Sequence, residues 1–305
     1  MAKADPGPSP YRSAKLSTFL LAPLIAPTSL FAHLGGMKTN DAHNLKRLLE
    51  AVPEAFLVDV GWMSDNGFGQ ECIRDFLDHG WLEPLARDVY RRPSIGSRPG
   101  VVGWKTCLLS LQHVMGYDVH IGGAVALLTM AYRDRRYHVY RDLPTLVYGK
   151  EFPDWLELLS LDMAFETRRK NFFSDPNLGI EDAWYEKWLP WDWTLRMSMP
   201  ERAILEALDE FPDNLNFPHL DAMFRRMAVM RSELMVELLR GCRKSEVKRL
   251  FFVFGDRHDH AWRKNIDPAD FDLGTSDLAF LQDGTMHPRY GIAVPPPFAQ
   301  SGEMR

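Results

Sequence analysis

The stretch from His43 to Pro93 constrains the fold more than any other part of this 305-residue chain. It reads HNLKRLLEAVPEAFLVDVGWMSDNGFGQECIRDFLDHGWLEPLARDVYRRP. Its first part places apolar residues at positions i, i+3, i+4 and i+7, which are Leu45, Leu48, Leu49 and Val52. That spacing predicts a helix with one buried stripe, and the proline that follows it ends the helix.

Two further short helices are indicated by their turns and caps. Asp59 is suited to cap a second helix that contains Trp62 and Met63, and Asn66-Gly67 is a dipeptide that favours positive φ and a sharp turn. The third helix is predicted from Gln70 to His79, with Ile73, Phe76 and Leu77 buried. Gly80 stands where a left-handed residue ends a helix, so that Trp81 can fold back on Phe76.

A two-stranded ribbon follows the helices. Leu82–Leu85 and Val89–Arg92 read as strands joined at Ala86-Arg87-Asp88. Three helices followed by a ribbon predict a winged helix-turn-helix, a plan that places a helix where it can enter a DNA major groove. A nucleic-acid partner is therefore the first hypothesis. A three-helix core module that contacts no nucleic acid stays open, because a fold does not fix a function.

The charge balance argues against a strongly basic nucleic-acid binder. The net charge is −5 and the sequence pI is about 6.1, with 46% apolar and 25% charged residues. These values are typical of a soluble globular protein. Acidic side chains also outnumber basic ones between residues 37 and 99. Any DNA affinity must then come from local clustering, and we expect it to be modest and sensitive to salt.

The N-terminal region has the pattern of a secretory signal peptide. Residues 16–34, LSTFLLAPLIAPTSLFAHL, are apolar and follow Lys3, Arg12 and Lys15. Two prolines interrupt this run, which is too short to span a bilayer as a helix. We interpret residues 1–36 as a mis-annotated or disordered extension, with translation starting at Met37.

The three cysteines, Cys72, Cys107 and Cys242, lie far apart without CxxC spacing. They are predicted to be free thiols in a reducing cytoplasm. We therefore expect a cytoplasmic protein with no membrane partner.

A linker rich in proline and glycine, Pro93 to Gly100, separates the predicted DNA-binding domain, residues 37–95, from a larger domain, residues 100–299. In the larger domain, the chain is predicted to alternate between strands and helices. The segments are a strand at Thr145–Tyr148, a helix at Arg202–Phe211 opened by a Ser198–Glu201 capping box, a helix at Ser245–Phe254, and strands near Leu278–Leu281 and Tyr290–Val294. The mixture predicts an α+β fold: a winged helix-turn-helix followed by a larger mixed α/β domain.

Three short motifs bear on enzyme and metal-site interpretations. His258-Asp-His260 has metal-ligand residue types but no evident third ligand. Asp270-Phe-Asp272 precedes Gly274-Thr-Ser276, which reverses the order that nucleotidyltransferases use. Gly122-Gly123 before a helix suits an anion, although such a pair more often permits close packing. We predict no catalytic residue, no metal site and no cofactor; the alternative is a nucleotidyltransferase-like catalytic α+β protein whose winged helix makes protein contacts.

The ordered segments of the chain resemble one family over about 250 residues, from Leu45 to Pro295. The matching pieces are LKRLLEAVP, SDNGF, DHGWLEPLARDVYRRP, WKTCLLSLQHVMGYDVHIGGAVAL, SMPERAILEALDEFP, LLRGCRKSEVKRLFFVF, AWRKNIDPADFDLG and YGIAVP. Their order and spacing are similar to those of the AbiEi family, antitoxins and transcriptional regulators of type IV toxin–antitoxin systems that act in abortive phage infection.

The resemblance implies a winged-helix domain that binds inverted repeats in its own promoter and represses it. It also implies a C-terminal domain that opposes a nucleotidyltransferase toxin without a stable complex between the two proteins. On the third helix, Gln70 and Arg74 would read bases, since Gln pairs with adenine and Arg with guanine. The remaining implied DNA contacts are phosphate contacts by Arg87, Arg91 and Arg92, and weaker candidates at Lys46 and Arg47.

In the larger domain, Lys248 and Arg249 follow the family pattern. Two positions depart from it. Asp88 occupies the wing turn where a glycine is usual, and Asp tolerates the left-handed region. Thr275-Ser276-Asp277 stands where the family tends to carry basic residues, which weakens the expectation of antitoxin activity more than the expectation of the fold.

Overall fold

The computed structural model describes residues 39–95, 100–131, 144–163, 165–169, 172–183, 193–279, 281 and 283–299. The predicted extension, residues 1–36, lies outside the described residues. The chain divides into two compact units, residues 1–46 and 47–305. The first helix, α1 (Thr39–Ala51), begins in the first unit and ends in the second. Of its predicted buried stripe, Leu45, Leu48 and Val52 are buried and Leu49 is half-buried.

A small module follows, from residue 47 to residue 95. Its elements in chain order are β1 (Leu57–Asp59), α2 (Val60–Asp65), α3 (Gln70–Asp78), β2 (Glu83–Ala86) and β3 (Val89–Arg91). The three strands form an antiparallel sheet in the order β1-β3-β2. The helices and the ribbon predicted from the sequence are thus confirmed, and β1 is a strand that the sequence analysis missed.

The turns of this module form by the predicted local chemistry. Asp59 is the N-cap of α2, and its Oδ1 accepts the Trp62 amide at 2.7 Å. Gly67 has φ +77° and Gly80 has φ +70°, the conformations that favour glycine. Asp88, the departure at the wing turn, adopts φ +63°, as Asp can. These local signals match the positions where α2 begins and where α2 and α3 end.

The larger module begins after the linker and is mixed α and β. Its first half contains β4 (Val101–Val102), α4 (Trp104–Leu109), a π-helical turn (Ser110–Val114), β5 (Val119–Ile121), α5 (Gly123–Ala131), β6 (Thr145–Gly149), a 3-10 helix (Asp154–Leu158), β7 (Ser160–Leu161) and β8 (Phe165–Arg169). Its second half contains β9 (Ile180–Ala183), β10 (Leu195–Ser198), α6 (Pro200–Asp209), α7 (Phe217–Arg226), α8 (Ser232–Gly241), α9 (Ser245–Gly255), 3-10 turns at Ala261–Asn265 and Pro268–Asp270, β11 (Thr285–Met286), β12 (Ala293–Val294) and α10 (Pro296–Ala299).

A five-stranded mixed sheet in the order β8-β6-β5-β10-β9 forms one layer of this module. β5 runs antiparallel to β6 and parallel to β10, while β6 and β8 are parallel. α5 and α6 pack on each other beside the sheet. The main apolar core lies around α6 and α9, and it includes Phe251, Phe252 and Phe254. The fold is therefore α+β, as predicted.

The predicted capping box at the start of α6 is wrong. Ser198 is the last residue of β10, and its hydroxyl donates to Glu206 Oε2 at 2.7 Å instead of capping the helix. Met199 is the N-cap residue and makes no side-chain cap. Glu201 instead accepts the Arg231 amide at 2.8 Å. Strand pairing orients Ser198 towards the interior, which overrides its local preference for a helix start.

Two simpler expectations concern cysteines and membranes. Cys107 and Cys242 are buried and Cys72 is half-buried, and all three are free thiols, as predicted. In the portion of the chain that the structure describes, no helix is long and apolar enough to span a membrane.

Candidate nucleic-acid interface

Helix α3 presents the two predicted base-reading side chains to solvent. Ile73 and Phe76 hold its inner face in the core of the small module. Gln70, in the first turn, and Arg74, one turn later, are both exposed, because positions four apart lie on one helix face. Arg74 forms no ion pair with any described residue. A guanidinium and an amide on one exposed face are donors suited to base edges.

The same helix also exposes three carboxylates. Glu71, Asp75 and Asp78 are exposed, and phosphates repel them at close range. Asp78 lies one turn after Arg74 on the same helix face, so the exposed surface of α3 mixes donors with acidic side chains. This opposition predicts modest affinity, in agreement with the acidic net charge of the chain.

The wing tip contributes one exposed cation. The Arg87 side chain is 87% exposed, and its Nε lies 3.4 Å from Asp88 Oδ2. A pair this exposed adds little stability and is easily exchanged for another anion. Arg87 is therefore available for a phosphate.

The two other wing arginines were expected to contact phosphates, and their positions correct that expectation. Arg91 is only 3% exposed; its Nε donates to Glu83 and its Nη1 donates to the Val101 carbonyl at 2.8 Å. Arg92 Nη1 donates to the carbonyls of Leu49 and Val52 at 3.0 and 2.6 Å, at the end of α1. Burial lowers the pKa of Arg92. Both side chains hold the module together and are not presented to DNA.

The remaining two candidates lie on α1. Lys46 is exposed and belongs to the first unit. Arg47 is half-buried; its Nη2 donates to the Asn66 carbonyl and its guanidinium lies 4.9 Å from the Phe68 ring centroid. Arg47 therefore stabilises the turn between α2 and α3.

A cleft of about 590 Å³ opens between the wing and the larger module. Its lining includes Arg87, but also the carboxylates of Asp59, Asp88 and Asp154. The excess of negative charge excludes it as a phosphate site.

The larger module buries the two basic residues that follow the family pattern. Lys248 is 6% exposed and Arg249 is 3% exposed on α9. Arg249 donates to three loop carbonyls: Leu273 at 2.6 Å, Gly274 at 3.0 Å and Gly291 at 2.5 Å. It anchors the loop that precedes the departure at residues 275–277. Neither side chain offers a cationic surface to a partner.

Sequence analysis missed a buried charged cluster at the start of α5. Glu206 accepts the Gly123 amide at 3.0 Å and the Arg202 Nε at 2.7 Å, and Glu210 accepts the Ala124 amide at 2.7 Å. His120 Nε2 lies 3.4 Å from Glu206. These glutamates occupy the anion position that Gly122-Gly123 suggested, since helix N-termini favour negative charge.

The pKa values of the two glutamates shift in opposite directions, although burial raises both. Burial raises the pKa of Glu206, but donors from His120, Arg202 and Ser198 together outweigh it and lower the value to about 2. For Glu210, burial dominates and raises the pKa to about 8, and the neighbouring Glu206 and Glu166 raise it further. The cluster thus holds one ionised and one mostly neutral carboxyl near pH 7.

The predicted absence of a metal site concerns His258 and His260. His258 Nε2 lies 3.0 Å from Asp221, and His260 Nε2 lies 2.8 Å from the Phe224 carbonyl. Within the described ranges, no group of three or more His, Cys, Asp or Glu side chains is placed to hold a metal ion. The two imidazoles serve instead to connect the end of α9 to α7.

Two family models match the chain. Residues 41–135 match "Transcriptional regulator, AbiEi antitoxin N-terminal domain" and residues 146–295 match "Transcriptional regulator, AbiEi antitoxin, Type IV TA system". No curated protein gives a significant sequence match. Among solved structures, the chain is similar to the RV2827C protein from Mycobacterium tuberculosis, with 16% identity and a TM-score of 0.50 over 84% of this chain and 91% of that one. This likeness concerns the fold alone. By its family matches over residues 41–295, the chain belongs to the AbiEi antitoxins, transcriptional regulators of type IV toxin–antitoxin systems.

Proposed function

We propose that this protein binds the promoter DNA of its own operon and represses it, using the small module as a winged helix-turn-helix. The observation that carries the proposal is the exposed pair Gln70 and Arg74 on α3, the helix that follows the turn, with Arg87 exposed on the wing. In a family of transcriptional regulators, this is the arrangement expected for base reading by a helix and phosphate contact by a wing.

The experiment is a mobility-shift titration on the upstream DNA of the gene, against random duplex of equal length, at several salt concentrations. Two to four neutralised phosphates would give a slope of log K against log salt of roughly −2 to −4. Arg74→Ala should reduce the preference for upstream DNA, because a lost bidentate base contact costs about 1–3 kcal/mol. Equal affinity of the wild type for both duplexes would refute the proposal.

The second part of the proposal is antitoxin activity of the larger module against a nucleotidyltransferase-type toxin. Its support is the family match over residues 146–295. Because Lys248 and Arg249 are buried, the activity cannot depend on them as surface contacts. Where a nucleotidyltransferase is encoded beside the gene, co-expression of the two proteins should restore growth, and affinity capture should recover no stable complex. Continued growth arrest in the presence of folded antitoxin would contradict this part.

The alternative, a catalytic protein of nucleotidyltransferase type, has no such observation behind it. Asp272 Oδ1 accepts the Gly274 amide at 2.8 Å and forms a local turn. Asp267 caps the 3-10 turn at Pro268–Asp270 through the Ala269 amide. Of the two aspartates in the Asp270-Phe-Asp272 motif, Asp272 thus has a structural partner of its own.

A further inference from the structure

Strand β1 lies at the edge of the three-stranded sheet, yet all three of its residues are buried. An edge strand leaves backbone groups without sheet partners, and these need other acceptors and donors. The Leu57 amide donates to Ser110 Oγ at 3.0 Å, and this hydroxyl donates to the Thr106 carbonyl at 2.6 Å. The larger module therefore covers the open edge of the small sheet.

Asp59, the last residue of β1, contacts both modules through different oxygens. Its Oδ1 accepts the Trp62 amide at 2.7 Å and begins α2. Its Oδ2 accepts the Tyr117 hydroxyl at 2.9 Å and the Trp155 Nε1 at 3.1 Å, both from the larger module. One carboxylate thus caps the first helix of the helix-turn-helix and attaches it to the larger module.

Because the Asp59 carboxylate is buried, it depends on the hydrogen bonds from Tyr117 and Trp155. Asp59 is 6% exposed, and a buried carboxylate that loses its donors carries a desolvation penalty without compensation. The two modules therefore cannot separate at this point unless Tyr117 and Trp155 give up their acceptor. Without these two donors, Asp59 would depend on water from the cleft that it lines.

Two other contacts hold the same side of the small module. Arg91 Nη1 donates to the Val101 carbonyl at 2.8 Å. The rings of Phe56 and Trp193 meet edge to face, with centroids 5.3 Å apart. The attachment therefore involves β1, β3 and the segment before β1, while Gln70 and Arg74 on α3 remain exposed.

We infer that Asp59 is a positioning residue that fixes the helix-turn-helix on the larger module, so that the larger module sets the orientation in which α3 meets DNA. The inference rests on the DNA binding proposed above. A fixed orientation reduces the freedom lost on binding and restricts the groove geometries that α3 can read. Loosening the attachment should lower the preference for promoter DNA more than the affinity for DNA in general.

The test uses the full-length protein and three variants. Tyr117→Phe combined with Trp155→Phe removes the donors of the larger module and keeps the helix cap. Asp59→Ser also keeps a capping residue but is too short to reach those donors. The matched control is Tyr290→Phe combined with Trp262→Phe, which removes a tyrosine–carboxylate bond to Asp256 and an indole bond to the Met227 carbonyl elsewhere in the larger module.

Amide hydrogen exchange at single residues measures the attachment without DNA. In the Tyr117/Trp155 variant, the Leu57 amide should exchange roughly tenfold faster, because each lost hydrogen bond contributes about 0.5–1.5 kcal/mol. The Trp62 amide should stay within about twofold, since its cap is intact. If Leu57 exchanges no faster than in the control variant, Asp59 does not fasten the modules and the inference is overturned.

The second readout is the ratio of affinities for upstream DNA and random duplex. It should fall roughly tenfold in the Tyr117/Trp155 and Asp59→Ser variants, with random-duplex affinity within about twofold and the control variant unchanged. Faster Leu57 exchange with an unchanged ratio would overturn the positioning role. If the wild type itself shows no preference, the proposed DNA binding fails together with the positioning role, and the exchange data still decide whether Asp59 fastens the modules.

Discussion

Two groups of charged side chains are placed differently: one on α3 and the wing tip of the small module, and one around α5 and α6 in the larger module. On α3 and the wing, Gln70, Arg74 and Arg87 lie in solvent. In the larger module, Arg202 and Glu206 are almost completely buried. Exposed charges contribute little to stability, so those on α3 and the wing are available for the proposed recognition of DNA. Buried charges must be paired to be tolerated, so they determine the fold.

This contrast also changes how the family pattern should be interpreted. Lys248 and Arg249 match the pattern and are buried, whereas Arg74, which acidic neighbours oppose, is exposed. Agreement with a pattern therefore indicates a structural role at the first two positions. The contrast predicts that removing a buried charge of the larger module reduces stability, whereas removing an exposed cation of α3 reduces the proposed DNA binding.

The largest effect is expected from Glu206→Ala. The change leaves the Arg202 guanidinium, which is 1% exposed, without its carboxylate. Breaking a buried pair by removing one partner costs about 3–5 kcal/mol, and urea denaturation should show a loss of this size. Glu71→Ala on α3, where the side chain is exposed, should change stability by about 0.5 kcal/mol or less. Similar losses of stability in Glu206→Ala and Glu71→Ala would contradict the contrast between buried and exposed charges.

A smaller loss is expected from Gly123→Ala at the N-terminus of α5. Gly123 has φ +59°, and a Cβ there would lie 1.8 Å from Glu210 Oε1. Left-handed strain and displacement of Glu210 together should cost about 2–4 kcal/mol. Gly80→Ala is the control, because Gly80 has φ +70° and a Cβ added there would meet nothing within 4 Å. It should lose only about 1 kcal/mol in the same denaturation experiment, and an equal loss at both sites would rule out the steric explanation.

The pH dependence of stability tests the same buried cluster through the proton that Glu210 binds. Because the folded-state pKa of Glu210 is about 8 against 4.5 for the free side chain, the folded protein binds the proton more tightly. Its contribution is present below pH 4.5 and is lost as pH rises towards 8, by at most about 1.4 kcal/mol per pH unit. Glu210→Gln should flatten stability between pH 5 and 8. An unchanged slope in that variant would assign the dependence to another group.

Glu206 changes stability with pH in the opposite direction, because its folded-state pKa lies near 2. Its contribution is present above pH 4.5 and is lost as pH falls towards 2. Acid denaturation of the wild type should therefore begin between pH 4.5 and 2. A Glu210→Gln variant should show the same acid denaturation. The carboxylates of Glu206 on α6 and of Glu210 at its C-cap can in this way be separated by their pH windows.

The sequence predicted the small module well because its signals are local. Asn66-Gly67, Gly80 and Asp88 each suit the backbone conformation found. The burial of Arg91 also had a sequence signal, since strand residues alternate between faces and Arg91 shares a face with Val89. The role of Arg92 had none, because its acceptors, at Leu49 and Val52, lie 40 or more residues earlier.

The buried cluster of the larger module could be predicted only in part. Gly122-Gly123 indicated either an anion or close packing, and the structure shows both, because the anions are the protein's own Glu206 and Glu210. These partners are more than 80 residues away in sequence, so periodicity within α6 cannot identify them. On α9, by contrast, the apolar run Leu250–Phe254 does indicate a buried helix. Charged residues inside a buried helix are expected to be paired.

The most direct test of the contrast measures upstream-DNA binding by fluorescence anisotropy for two matched double variants. Arg74→Ala with Arg87→Ala removes exposed cations from the small module. Arg240→Ala with Arg243→Ala removes two exposed cations from the larger module. The first should weaken upstream-DNA binding roughly tenfold or more and lower the salt slope by about 1, while the second should stay within about twofold. Equal weakening by both pairs would show that the exposed charges of α3 and the wing do not direct binding, and would contradict the account.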